Sequence, residues 1–185
     1  MKAQQLGPRV MLITGPPGAG KTSVSEALAV SCDRSVLIDG DAFFHFVRES
    51  WIQPWEPGAH EPNKTAIRAV AAAAQRYVAG GYLTVVDAVV GPWFLDVFLA
   101  EIECPVSYAI LRPTEQETMR RATSRDGIAL VDREVISHMF GAFSDLADHE
   151  KFVVDTTTMT LEETTATVRE MLSDERFLIG QRRSL

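Results

Sequence analysis

The stretch GPPGAGKT, residues 15–22, decides the fold, because two glycines, a lysine and a threonine stand in it at the spacing GxxxxGK[ST]. An apolar run, Val10–Thr14, precedes it and a helical pattern, Thr22–Val30, follows it. This strand–loop–helix context is the one that the pattern requires. Gly15 and Gly20 permit positive φ, so successive backbone N–H groups can turn inward on an anion. The sequence therefore predicts a loop that holds the phosphates of a nucleoside triphosphate.

Two side chains of this phosphate loop (residues 15–22) have predicted roles. Lys21 is expected on the β- and γ-phosphate oxygens, and the Thr22 hydroxyl in the coordination shell of Mg²⁺. The helix that follows presents its positive end to the same phosphates. The predicted nucleotide contacts here are Gly15, Pro16, Pro17, Gly18, Ala19, Gly20, Lys21, Thr22 and Ser23.

Short apolar runs alternate with helical patterns along the rest of the chain. Runs without polar alternation are typical of strands buried on both faces of a parallel sheet. We therefore expect an α/β fold with three layers and right-handed crossovers. The predicted strands are Val10–Thr14, Ser35–Ile38, Leu83–Val86, Val106–Leu111 and Phe152–Val154. The predicted helices cover residues 22–30, 42–48, 63–79, 93–101, 114–124, 132–146 and 161–172.

Length and composition limit the organisation of the chain. Its 185 residues, 46% of them hydrophobic, favour a single domain, 1–185. A net charge of −7 argues against a nucleic-acid partner. No apolar stretch is long enough for a membrane span, and two distant cysteines, Cys32 and Cys104, fit a reducing compartment. We expect a cytoplasmic protein, monomeric or homodimeric.

Two features separate the classes of nucleotide-binding protein that share the loop. GTPases need a guanine-reading NKxD, whereas Asn63-Lys64-Thr65-Ala66 lacks the aspartate. Large motor-type ATPases usually place a glutamate beside the strand-end acid, but here Asp87 is followed by Ala88. The remaining small class transfers phosphoryl groups to small molecules.

Three carboxylates at strand ends are the candidates for the chemistry. Asp39 and Asp41 follow the second predicted strand, and Asp87 ends the third, where ligands of open α/β sheets bind. Phosphoryl transfer to an alcohol needs one carboxylate to orient and deprotonate the hydroxyl. Asp41 is the predicted base, although it is also a natural N-cap for the helix over 42–48. Asp87 and Asp39 are the predicted magnesium ligands, together with Thr22.

Five motifs along the chain carry a resemblance to a known family: GPPGAGKT, LIDGDAF, GYLTVVDAVVG, LRPTEQETMRRATSRDG and FVVDTTTMTLEET. With them the chain resembles the small P-loop kinases, which include chloramphenicol 3-O-phosphotransferase, gluconate kinase, shikimate kinase and adenylylsulfate kinase. The resemblance covers roughly residues 8–173, which we take as the core of the domain, and is greatest to the chloramphenicol phosphotransferase branch.

This resemblance implies a three-layer P-loop fold, a five-stranded parallel sheet in the order 2-3-1-4-5, and ATP as the donor. It implies that Asp41 is the base and that Asp155 and Thr156 border adenine. It also implies a lid over about 113–131, whose R-x-x-x-R arginines, Arg121 and Arg125, close over the transferred phosphate.

The sequence leaves the acceptor open. Residues 51–64, with Trp51 and Trp55 beside several prolines, depart from the pattern of the phosphotransferase branch. A cleft lined by these tryptophans would suit a small apolar or aromatic acceptor. We therefore expect an ATP- and Mg²⁺-dependent kinase that acts on a hydroxyl of a small molecule. The alternatives are an ATP-binding regulatory switch or ATPase, and a nucleic-acid end kinase.

Overall fold

The computed structural model describes residues 7–124 and 132–180. The strands are β1 Arg9–Thr14, β2 Ser35–Asp39, β3 Leu83–Asp87, β4 Val106–Leu111, β5 Val153–Val154 and β6 Leu178–Ile179. The helices are α1 Lys21–Val30, α2 Asp41–Phe44, α3 His60–Ala79, α4 Pro92–Leu99, α5 Glu115–Thr123, α6 Arg133–Gly141 and α7 Leu161–Ser173. Short 3₁₀ helices cover Ala147–Phe152 and Glu175–Phe177. Within the described ranges, none of the helices has the length and apolarity that a membrane crossing requires.

The sheet has the predicted strand order, β2-β3-β1-β4-β5, and these five strands are parallel. The sequence prediction of five strands is incomplete, because the two-residue strand β6 pairs antiparallel with β4. It does so at Val106 and Ser107, whereas β5 pairs with Ile110 and Leu111. The α/β fold class is confirmed, with β6 as an addition.

Side chains of β1 alternate between two hydrophobic layers, one on each face of the sheet. Val10 and Leu12 pack in the layer that contains α3 and α4. Met11 and Ile13 pack in the layer that contains α1 and α7. This period of two is the side-chain geometry of a strand, and it explains why the central strands are continuously apolar. The expectation of burial on both faces fails for β2, an edge strand in which only Ile38 is buried.

Helix starts were predicted better than helix ends. Thr114 caps α5 by accepting from the Glu117 N–H, and Asp132 caps α6 by accepting from two N–H groups, as expected. The predicted helix over 132–146 is too long, since α6 ends at Gly141. The predicted helix over 42–48 is only the four residues Asp41–Phe44. The helix predicted over 63–79 begins three residues earlier, because Pro62 lies in its first turn, where no N–H is needed.

A close contact between the ends of β2 and β3 positions the candidate acids. The Gly40 N–H donates to the carbonyl oxygen of Asp87 at 2.8 Å. A Cβ on Gly40 would lie 2.6 Å from the Cβ of Ala88 and 2.9 Å from the Asp87 carbonyl oxygen. Only a residue without a side chain fits there, so Gly40 fixes how closely Asp39 and Asp41 approach Asp87.

Gly40→Ala should therefore lower the free energy of unfolding by about 1–3 kcal/mol, since neither the short Ala88 side chain nor the backbone can move away cheaply. Gly141→Ala is the matched control, because nothing lies within 4 Å of a Cβ at this last residue of α6. Urea unfolding should show the control to be neutral or stabilised by up to about 1 kcal/mol. Equal stability of the two variants would contradict the close contact.

Candidate active site

The phosphate loop connects β1 to α1 through three glycines with positive φ: Gly15 at 144°, Gly18 at 81° and Gly20 at 93°. Two of them also lie against neighbouring backbone. A Cβ on Gly15 would stand 2.1 Å from the Leu111 carbonyl oxygen, and one on Gly18 would stand 2.4 Å from that of Thr118. The loop is thus packed between β4 and α5. Gly15 and Gly18 are therefore required both because their φ angles are positive and because a side chain would clash with the neighbouring backbone.

The start of α1 is open to an anion. Its N-cap is Gly20, and no side chain in the described part of the structure caps it. First-turn N–H groups without partners and the positive end of the helix dipole together favour a phosphate. Pro16 and Ala19 are buried in the protein, so any nucleotide contact from them would come from their backbone.

Lys21 is buried and points back across the loop. Its ammonium donates to the carbonyl oxygens of Gly15 at 3.1 Å and Pro16 at 3.3 Å. The charge is therefore held inside the curve of the loop, where the sequence predicts the β- and γ-phosphates. Its role as a phosphate ligand stays a prediction.

The three candidate carboxylates meet at the carboxyl edge of the sheet. Asp39 and Asp87 are register partners on β2 and β3, and Asp41 begins α2. The interpretation of Asp41 as a helix cap is wrong, because the carboxylate of Asp39 accepts from the N–H groups of Asp41 and Ala42, at 3.0 and 3.4 Å. The carboxylate of Asp41 is exposed, with no hydrogen-bond partner among residues 7–124 and 132–180. It is therefore available to a substrate.

Asp87 is buried, and burial raises the pKa of its carboxyl group above the ordinary value. The Lys21 ammonium and a hydrogen bond with the Thr22 side chain lower this pKa, while Asp41 and Asp39 raise it further. The structure thus brings Asp87, Lys21 and Thr22 together, as the sequence predicted. Carboxylate and hydroxyl oxygens beside a phosphate site suit Mg²⁺. Within the described ranges, however, no three His, Cys, Asp or Glu side chains form a metal-binding group, so phosphate and water would have to complete the coordination.

A cleft of about 940 Å³ extends from the phosphate loop and is called the acceptor cleft below. The phosphate-loop residues along it include Lys21 and Thr22, and Asp41 lies beside them. Its other walls are mainly aromatic. The ring-bearing residues along it are Phe44, His45, Trp51, Trp55, His60, Trp93, Phe94, His138 and Phe143.

The segment before α3 forms one wall of the acceptor cleft. Trp51 donates from Nε1 to the Phe44 carbonyl oxygen at 3.0 Å and stacks on His45, with ring centroids 6.0 Å apart. The Asn63 amide donates to the Pro54 carbonyl oxygen at 2.8 Å. These bonds hold an irregular segment in place, and the predicted cleft lined by Trp51 and Trp55 is present.

The loop Asp155–Thr157, called the adenine loop below because the sequence predicts adenine beside it, is bound to α5. The Arg121 guanidinium donates to the Thr156 carbonyl oxygen at 2.9 Å and to the Glu117 carboxylate at 2.6 Å. Hydrogen bonds from Arg120 and Arg121 lower the pKa of Glu117 to about 2. Arg121 is therefore held at the predicted adenine site and does not line the acceptor cleft. Arg125 lies outside the described residues, and a phosphate contact from either arginine stays a prediction.

Sequence reasoning missed two contributors to the site. Glu117 holds Arg121, a role that its (i, i+4) spacing could have indicated. The helix α6 supplies His138 and Met139 to the acceptor cleft, and the turn after it supplies Phe143. Phe143 is buried, so it belongs to the core as well as to the wall of the cleft. An apolar helical stripe looks the same whether it faces a core or a cleft.

Several solved structures share this architecture. A sugar kinase from Janibacter sp. HTCC2649 superposes with a TM-score of 0.72 at 19% identity, over 89% of this chain and 94% of that one. A tunicamycin resistance protein from Deinococcus radiodurans gives 0.66 at 17% identity, over 89% and 95%. The Mycobacterium tuberculosis APS kinase in complex with AMPPNP and APS gives 0.68 at 17% identity, over 91% and 99%.

The chain has the fold of the small P-loop kinases. The predicted resemblance is thereby confirmed at the level of the fold. In sequence, the family model described as Zeta toxin matches residues 1–80, which include the phosphate loop and two of the three candidate acids, Asp39 and Asp41, but not Asp87. Comparison with curated proteins found no match.

The buried carboxylate of Asp87 yields a prediction for this P-loop kinase fold. Because its pKa is raised in the folded state, the folded protein loses stability as the pH rises from the ordinary value for aspartate through the raised one. Asp87→Asn removes the cost of a buried negative charge at neutral pH. It should therefore raise the free energy of unfolding by about 1.4 kcal/mol for each unit by which the pKa is raised, and the thermal midpoint should rise with it. The gain should disappear at low pH, where Asp87 is protonated in both states.

The same variant should weaken Mg²⁺-dependent nucleotide binding at neutral pH, since it removes an oxygen charge beside Thr22. Asp96→Asn, at an exposed position of α4, is the control and should alter neither property. A fall in the thermal midpoint of Asp87→Asn at neutral pH would contradict the assigned direction of the pKa change.

Proposed function

We propose that the protein transfers the γ-phosphoryl group of ATP to a hydroxyl group of a small molecule, with Mg²⁺. The observation that carries the proposal is that Lys21 of the phosphate loop and the carboxylate residue Asp41 line one cleft. A donor site and a candidate base that share a cleft are the two elements this reaction needs. Several of the structural neighbours are named as kinases, which agrees with the proposal. At 17–19% identity, however, they show only that the fold is shared.

In the proposed reaction, the protein positions two reactants and stabilises charge. The loop N–H groups and the Lys21 ammonium bind the phosphates. Asp41 orients the acceptor hydroxyl and accepts its proton as the oxygen attacks the γ-phosphorus and the bond to the leaving ADP oxygen breaks. Mg²⁺, when bound near Thr22 and Asp87, neutralises charge on the phosphates. Asp39 is less free for this task, since one of its oxygens binds the start of α2.

The adenine loop, Asp155–Thr157, forms the proposed adenine site. Asp155 accepts hydrogen bonds from the N–H and the hydroxyl of Thr157, which lower the pKa of its carboxyl group. Arg121 fixes the carbonyl group of Thr156 from the other side. The loop is thus ordered by its own contacts before any nucleotide arrives, which reduces the entropy cost of binding.

The cleft also weighs against the two alternative functions. A regulatory switch or ATPase that acts through ATP alone needs no second small-molecule site, whereas a large aromatic cleft lies beside the phosphate loop here. A nucleic-acid end kinase needs a basic channel for the phosphate backbone. Among the described residues along the acceptor cleft, Lys21 is the only lysine or arginine.

Asp41→Asn should reduce phosphoryl transfer by roughly 10²–10⁴-fold, because an amide cannot accept the proton. The thermal midpoint and ATP affinity should stay near those of the parent, since the carboxylate makes no hydrogen bond within the described structure. Transfer can be measured by mass spectrometry as phosphate incorporation into a pool of hydroxylated metabolites, and ATP affinity by calorimetry.

Asp39→Asn is the matched variant, because its remaining carbonyl oxygen can still accept from Asp41 and Ala42. It should retain more transfer activity than Asp41→Asn, and any loss should come with weaker Mg²⁺-dependent ATP binding, because Asp39 is a predicted magnesium ligand. If Asp41→Asn transfers phosphate at the parent rate while Asp39→Asn does not, then Asp39 is the base and the assignment is wrong.

A further inference from the structure

We propose that the acceptor is a hydroxylated ring compound that carries no carboxylate, phosphate or sulfate group. This inference rests on the proposed function and narrows it to a chemical class. It follows from the aromatic surfaces of the acceptor cleft and from the distribution of charge along it.

Trp93 offers a rigid ring face to the cleft. A Cβ on Gly91 would lie 2.2 Å from the Trp93 ring, so the indole packs directly against that glycine. On another side the Trp93 ring meets Phe143 edge-on, with centroids 5.0 Å apart. Trp93 nevertheless remains 46% exposed. A large aromatic side chain that is held in place and still exposed in a cleft is a preorganised surface for an apolar ring face.

Other rings along the cleft are also held in fixed positions. Trp51 is held by its hydrogen bond to Phe44 and by stacking on His45. His60 packs against Phe94 with centroids 5.3 Å apart. A flat or chair-shaped ring that packs on these aromatic surfaces would lose water from its apolar faces, which favours binding in proportion to the apolar area removed from water.

The positive charge of the cleft lies in the part formed by the phosphate-loop residues, which is called the donor half below, while the rest of the cleft is called the acceptor half. Within the described structure, Lys21 is the only lysine or arginine that lines it, and its ammonium is bound to phosphate-loop carbonyls. Lys64 does not line it and pairs with Glu61 at 2.9 Å. A carboxylate, phosphate or sulfate on the acceptor would therefore find no second lysine or arginine among the described lining residues, and burial of an anion without a paired cation is unfavourable. Three histidines, His45, His60 and His138, also line the cleft, and the first two pack on the rings of Trp51 and Phe94.

The acceptor half carries negative charge. Asp41, Glu56 and Asp132 line it. Asp132 is occupied in capping α6, while Glu56 is exposed and its carboxylate makes no hydrogen bond or ion pair within residues 7–124 and 132–180. Like charges repel across such a cleft, so Asp41 and Glu56 would disfavour an anionic acceptor and tolerate a neutral or amino-bearing one.

Two pairs of probes that differ only by a carboxylate test the proposal. Phenyl β-D-glucoside is compared with phenyl β-D-glucuronide, and 1-phenylethane-1,2-diol with mandelate. Binding to the full chain with Mg²⁺ and a non-hydrolysable ATP analogue is measured by saturation-transfer NMR. We expect the neutral member of at least one pair to bind at least about tenfold more tightly than its anionic partner, a ratio of the size that one nearby charge produces.

Variants locate the effect. Glu56→Lys should reduce or reverse the preference for the neutral probe, whereas Glu170→Lys, on α7 and outside the cleft lining, should leave it unchanged. Trp93→Ala should weaken the binding of neutral probes. Tighter or equal binding of the anionic members, or no binding of any neutral probe, would overturn the proposal.

The proposal can fail without the proposed function. Nucleotide binding and phosphoryl transfer are measured separately, so transfer to an anionic acceptor would refute the acceptor class and leave the kinase assignment standing. Absence of nucleotide binding would instead remove the kinase assignment.

Discussion

The rest of the structure depends on how closely the phosphate loop approaches its neighbours. Gly15 lies against the last residue of β4, and Gly18 lies against α5. Because no side chain fits at either contact, the loop is held between the sheet and the helix that carries Arg121. The same packing directs the start of α1, with its open N–H groups, toward the carboxyl edge of the sheet. Asp87, Asp39 and Asp41 lie at the same edge, where a second close backbone contact, that of Gly40 with Asp87 and Ala88, brings them together.

The sequence was sufficient to predict the strand–loop–helix arrangement of the phosphate loop and the strand order, while its nucleotide and magnesium contacts stay predictions. The pattern GxxxxGK[ST] predicts backbone geometry directly, because its glycines are required where φ is positive and where neighbouring backbone lies close. Continuous apolar runs likewise predict buried parallel strands. The edge strand β2 and the added β6 were less predictable, because short or half-exposed strands depend on tertiary pairing. Asp39 and Asp41 show the same limit. Either could cap a four-residue helix, and only the hydrogen bonds show that Asp39 does so.

The acceptor half was less accessible to sequence reasoning, because its walls come from four separate parts of the chain. Trp51 and Trp55 stood out as a departure from a family pattern, but Trp93 on α4 and Phe143 after α6 did not. Periodicity identifies a stripe as apolar and does not show whether the stripe meets a core or a cavity. Gly91 likewise gained a meaning only when its contact with the Trp93 ring was visible.

The two halves of the cleft therefore differ in chemistry. The donor half combines a buried lysine with open N–H groups, and the buried carboxylate of Asp87 lies beside them. The acceptor half combines ring side chains with Asp41 and Glu56, whose carboxylates have no hydrogen-bond partner among the described residues. The proposed function depends on the donor half, because without a bound nucleotide there is no phosphoryl group to transfer.

The most direct test is calorimetric titration of ATP with Mg²⁺ into the parent chain and into Lys21→Met, which keeps most of the buried volume but removes the charge. The account predicts binding by the parent and a loss of roughly 10–100-fold in affinity for the variant, the size of one charge-assisted hydrogen bond. Lys151→Met, at an exposed position, should bind as the parent does. Equal affinity of the parent and Lys21→Met would contradict the assignment of the nucleotide site.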